Sequence, residues 1–144
     1  MNKIFILLFV ACLSYGGVPK FNHTKSFTLK KDEKAFVYLR QNGEENFDIF
    51  EFSWTLYDGT NLVVHSKFRR YPRQIMLSLR RGLELYKQMI LSPLAKEFSD
   101  GVWLYLEFGK FEKNNALLSV YILDPAGRVE AKFEPDQGEQ NARN

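Results

Sequence analysis

Cysteine is almost missing from this chain of 144 residues: it has only Cys12, alongside two histidines, His23 and His65. Structural zinc and iron–sulfur centres are built from clusters of those residue types, so the sequence offers no such centre and implies no cofactor. An intrachain disulfide is excluded by the single thiol. Nucleophilic hydrolysis has no signature either. There is no Gly-x-Ser-x-Gly elbow and no glycine-rich phosphate loop. Long apolar runs are lacking too: no stretch reaches the roughly 18 residues of a transmembrane helix, so none is expected.

The chain does begin with a short apolar run. Lys3 supplies a positive start, residues 4–13 are apolar, and Ser14-Tyr15-Gly16 has the small-x-small pattern of a cleavage site. As a helix the run rises ~15 Å, half of a ~30 Å hydrocarbon core. It therefore predicts a signal peptide at 1–16 and an exported protein. The absence of a thiol from the remaining chain favours a bacterial periplasm. A second reading attaches to Phe9-Val10-Ala11-Cys12, which matches a lipobox and would make Cys12 a lipid-bearing N-terminus. The apolar run before Cys12 is short for that pathway, so cleavage near Gly16 is preferred.

Residues 17–133 read as one β-rich domain. Phe50, Phe52, Trp54 and Leu56 alternate with Glu51, Ser53 and Thr55, which predicts a strand with one buried face. Tyr57-Asp58-Gly59-Thr60-Asn61 is turn chemistry, and 62–68 returns as its partner. Val102, Leu104, Leu106 and Phe108 alternate likewise, but Trp103 and Tyr105 make that strand apolar on both sides, as in a sheet interior. Further strands are expected at 26–30, 35–41, 116–123 and around Val129, Ala131 and Phe133. Asp124-Pro125-Ala126-Gly127 marks a turn. The segment 134–144 has almost no large apolar residue and predicts a disordered tail.

Residues 75–91 carry two patterns. Met76, Leu79, Leu83, Tyr86 and Ile90 recur at helical spacing, whereas Ile75, Leu77 and Leu79 alternate as a strand. Gly82 disfavours a helix by about 1 kcal/mol and suits a turn. The preferred reading is a hairpin over 74–87 with Arg80-Arg81-Gly82 as its loop, and one short helix is the alternative. The expected fold is mainly β: an antiparallel, immunoglobulin-like sandwich, with a small lipocalin-like barrel as the other choice.

The short leader, Phe52-Ser53-Trp54-Thr55-Leu56-Tyr57 and Tyr71-Pro72-Arg73-Gln74 resemble small exported proteins of Campylobacter and Helicobacter relatives. That resemblance brings no activity and no functional residue with it.

Charge is the one feature above background. Residues 59–91 hold Lys67, Arg69, Arg70, Arg73, Arg80, Arg81 and Lys87 against Glu84 alone. Guanidinium forks suit phosphate and carboxylate, which makes Lys67, Arg69, Arg70, Arg73, Arg80 and Arg81 the candidate anion-binding residues. Arg80 and Arg81 would lie ~20 Å from the others along a strand, as a separate patch. Positive charge that guards a strand edge against other chains is the bland explanation. His65 is out of phase with Leu62 and Val64 and should face solvent, and the aromatic residues are expected mainly in the core. The functional expectation is an exported, non-enzymatic binding or interaction module of the cell envelope. Its partner would be an envelope protein or, through the basic segment 67–87, an anionic lipid or glycan. Nucleic acid is not expected, and a carboxylate-dependent hydrolase is the second alternative.

Overall fold

A computed structural model of the chain describes residues 20–94 and 100–134. The leader at 1–16, with Cys12, and residues 135–144 of the expected tail lie outside the described residues.

Alternating side chains draw the described residues into nine strands: β1 (His23–Lys30), β2 (Ala35–Gln41), β3 (Asp48–Tyr57), β4 (Asn61–Phe68), β5 (Tyr71–Ser78), β6 (Leu85–Leu91), β7 (Val102–Glu112), β8 (Asn115–Leu123) and β9 (Val129–Glu134). They form two antiparallel sheets, ordered β1-β8-β7-β6 and β5-β4-β3-β2-β9. The result is a β-sandwich and not a closed barrel. It has the two-layer plan of immunoglobulin-like domains, built here from the meanders β2 to β5 and β6 to β8 with β9 and β1 added at their ends.

The core is the inner phase of both sheets. Phe27 and Leu29 of β1, Phe50 and Phe52 of β3, and Leu104, Leu106 and Phe108 of β7 are all essentially inaccessible. Rings bridge the layers: Phe27 meets Phe52 edge-on at 5.4 Å, and Tyr57 stacks on Phe111 at 4.0 Å. Trp54 is buried and its indole N–H donates to the Leu29 carbonyl across the sandwich at 2.9 Å. Trp103 and Tyr105 lie on β7, which is an interior strand, as their two-sided apolar pattern implies.

Two expectations need correction. Leu56 does not share the buried phase of Trp54. A bulge between them shifts the register, so Leu56 is 59% exposed and Tyr57 packs against the core instead. Nor do 74–87 form a hairpin. Both halves are strands, which removes the helical alternative, but β5 pairs only with β4 and β6 only with β7. The chain crosses from one sheet to the other through 79–84, so Leu77 and Ile90 face the core from opposite layers. Placed in opposite layers, Leu77 of β5 and Ile90 of β6 both bury their side chains in the core between the sheets. Gly82 does take the left-handed conformation, at φ 85°, inside a turn closed by Leu83 N–H to Arg80 O and Ser78 N–H to Leu83 O.

Candidate functional site

The basic residues of 67–87 separate into four places. Lys67 points outward from β4, opposite Glu51 in the ladder. Arg69 and Arg70 form the two-residue turn between β4 and β5, with φ of 49° and 70°. Both central residues of such a turn need positive φ, a conformation that normally selects asparagine and glycine and costs other residues about 1–2 kcal/mol each. The protein uses the same turn at Lys113-Asn114, where φ is 50° and 61°, with asparagine second. Arginine at 70 is therefore not explained by turn chemistry.

Lys67, Arg69 and Arg70 rim an open groove of about 510 Å³ on the outer face of the five-stranded sheet. Its apolar wall is Phe36, Tyr38, Phe47 and Ile49. The position of Phe36 and Tyr38 follows from β2 itself: Ala35, Val37 and Leu39 take the inner phase and leave the rings outside. Phe47 sits edge-on to Tyr38 at 6.4 Å, with the Arg40 guanidinium 4.7 Å and the Lys132 ammonium 4.9 Å from its ring. Tyr38 donates to Glu134 at 3.1 Å, and burial together with that carboxylate pushes the phenol above its ordinary pKa.

Two acids also line the groove, and both are engaged. Asp48 accepts from Arg69 Nε at 2.6 Å, and Glu51 pairs with Lys34 at 2.6 Å. Arg40 and Lys132 both pair with Glu130, and the Arg40 contact holds that carboxyl below its usual range. Lys67 and Arg70 have no ion-pair partner among the described residues. The groove thus presents two uncommitted cations beside a wall of rings.

Arg73 lies elsewhere. It occupies an inner-phase position on β5, opposite Ser66, and reaches between the sheets to the Tyr86 hydroxyl at 3.4 Å. Arg80 and Arg81 are at the far end of β5, in the crossing to β6, and border neither the groove nor the space around Arg73. Arg80 lies close enough to Asp58 to help lower its pKa. Separation of Arg80 and Arg81 from the other arginines follows from the length of β5, as expected. That Arg73 and Arg70 border different spaces, with Arg69 between them on both, was not visible without the register.

The aromatic residues also divide. Trp54 and the phenylalanines of β1, β3 and β7 form the core, but the outer face of the four-stranded sheet carries Trp103, Tyr105, Tyr121 and Phe21. Lys87 covers Trp103 there, its ammonium 3.8 Å from the ring. His65 is exposed, as its phase requires, and shares a 3.0 Å hydrogen bond with Thr55. Among the described residues no three of His, Cys, Asp or Glu gather in a way that would hold a metal ion, and no helix is long and apolar enough to cross a membrane. Comparison with family models, curated proteins and solved structures finds no match.

Proposed function

We propose that this chain is an exported, non-enzymatic binding module of the bacterial envelope whose groove takes the headgroup of an anionic lipid or glycan. The observation that carries this reading is the pairing of Lys67 and Arg70, both without a counter-ion among the described residues, with the ring-lined wall of Phe36, Tyr38 and Phe47. Phosphate or carboxylate meets the cations, and the less polar part of the headgroup lies on the rings. Export rests on the leader at 1–16. Asp48 and Glu51, the acids of the groove among the described residues, are each paired with a cation, which favours binding over a carboxylate-dependent hydrolase.

The test is sedimentation of the chain with vesicles. Neutral phosphatidylcholine should leave it in the supernatant, and vesicles containing phosphatidylglycerol should pull it down at low salt. Binding should fall at 0.15 M salt, where exposed charges are screened beyond ~8 Å. The double variant Lys67→Gln/Arg70→Gln should lose about tenfold or more in affinity. Equal binding by wild type and variant at low salt would remove the groove from consideration.

A further inference from the structure

The free edges of the two sheets, β5 and β6, leave a notch of about 210 Å³ between the layers, lined by Ser66, Phe68, Arg69, Tyr71, Arg73, Gln88 and Met89. Elsewhere the inner phase of these strands is apolar. Here it turns polar: Arg73 stands opposite Ser66 on β5 and β4, and Tyr86 and Gln88 hold the inner phase of β6. Arg73 is exposed at the mouth of the notch and Ser66 is nearly buried at its floor.

Two of these groups, Arg73 and Ser66, lack a strong partner among the described residues. Arg73 has no acid partner among the described residues, and its contact with Tyr86 is a long 3.4 Å. Tyr86 spends its own proton on Gln88 Oε1 at 2.9 Å, so it offers Arg73 only an oxygen. Ser66 is 6% exposed, yet its hydroxyl has no hydrogen-bond partner among the described residues and borders the notch. No acid among the described residues lines the space.

We infer that this notch is a second binding site, which meets the outer groove only at Arg69, and that it takes a carboxylate borne on a short apolar group. The guanidinium of Arg73 provides two parallel donors and the Ser66 hydroxyl a third, which suits a planar monoanion. Phe68 and Met89 provide the apolar side. Of the two arginines that line the notch, Arg69 is held by Asp48, so a dianionic phosphate would meet one unpaired cation and too few donors to offset its desolvation, whereas Lys67 and Arg70 in the outer groove suit it better. The volume equals about seven waters at ~30 Å³ each, room for a short-chain acid or the last residue of a peptide.

The test is a titration of the full chain, followed by amide ¹H–¹⁵N spectra, with butyrate, butyramide, N-acetyl-dialanine and inorganic phosphate. Butyrate and N-acetyl-dialanine should shift the amides of Ser66, Arg73, Gln88 and Met89 saturably, and the tighter of the two identifies a free acid or a peptide terminus as the source. Neutral butyramide should bind at least about tenfold more weakly. Phosphate should move the amides near Lys67 and Arg70 instead. Arg73→Gln and, independently, Ser66→Ala should each weaken butyrate binding while leaving the rest of the spectrum in place. Lys67→Gln/Arg70→Gln should not weaken it, so this site stands or falls apart from the outer groove. Equal binding of butyrate and butyramide, stronger shifts of the notch by phosphate, or butyrate shifts that survive Arg73→Gln would each overturn the assignment.

Discussion

Replacing Arg70 by asparagine should make the protein more stable and a poorer binder at once. Arg70 holds φ at 70° in a two-residue turn and makes no ion pair among the described residues. Its left-handed backbone costs about 1–2 kcal/mol, part of which asparagine avoids because its short side chain tolerates that conformation. No hydrogen bond or ion pair of its side chain among the described residues offsets the gain, so Arg70→Asn should stabilise by about 0.5–1 kcal/mol. With a urea m-value of ~2 kcal/mol/M, the unfolding midpoint should rise by about 0.4 M. Vesicle affinity should fall by about tenfold in the same preparation. The other turn of this type supplies the reciprocal experiment. Asn114 sits at φ 61° where Arg70 sits in its own turn, so Asn114→Arg should cost about 0.5–1 kcal/mol and leave vesicle binding unchanged. Urea melts and sedimentation of the three proteins read both quantities. If Arg70→Asn lowers the midpoint, the turn is not strained. If it binds vesicles as well as wild type, the arginine is not there for a ligand.

Three further outcomes follow from the fold and its turns. Trp54→Phe removes the 2.9 Å bond that joins the sheets and leaves the Leu29 carbonyl buried without a donor, so urea melts should show a loss of about 2–4 kcal/mol. Gly82→Val forces a branched side chain to φ 85°, and although the space around it is open, the backbone strain alone should cost about 1–2 kcal/mol in the same assay. Asp58 accepts hydrogen bonds from Asn61 and Thr60, which lower its pKa from 3.8 to about 2. Its folded value lies below its unfolded one, so its contribution is present above pH 4 and fades as pH falls towards 2. Melts across that range should show a shallower acid loss for Asp58→Asn than for wild type.

Period-two alternation made most of the fold legible, because a strand with one buried face writes its phase into the chain. Phe50, Phe52 and Trp54 announced β3, and the two-sided apolarity of Trp103 and Tyr105 placed β7 inside its sheet. Alternation cannot report a bulge, and the one after Trp54 turned Leu56 outward. Nor does it name a strand's partner. The segment 74–87 has the turn glycine and flanking alternation of a hairpin, but whether two strands lie side by side or face to face depends on what else competes for their edges. The groove was half legible. Lys67, Arg69 and Arg70 stood out by charge, whereas Phe36, Tyr38 and Phe47 are ordinary strand and loop aromatics until β2 and β3 set them beside the turn. The notch was hidden altogether, since Ser66 and Arg73 become a pair only through the β4–β5 register.

The strand order also imposes a timetable. Pairings within the β2–β5 and β6–β8 meanders join close neighbours, as in the bond from Thr55 to His65 ten residues on. The ladders of β1 with β8 and β2 with β9 are different: Ser26 bonds Ser119 across 93 residues, and Arg40 reaches Glu130 across 90. Loop-closure entropy puts such contacts late, after the local meanders have formed. A chain emerging from its N-terminus therefore holds β1 in waiting until β8 exists, though β1 is first to be made. Through that interval the inner side of β1, with Phe27 and Leu29, has no sheet to join, and whatever shields it then governs how much of the protein reaches the native state.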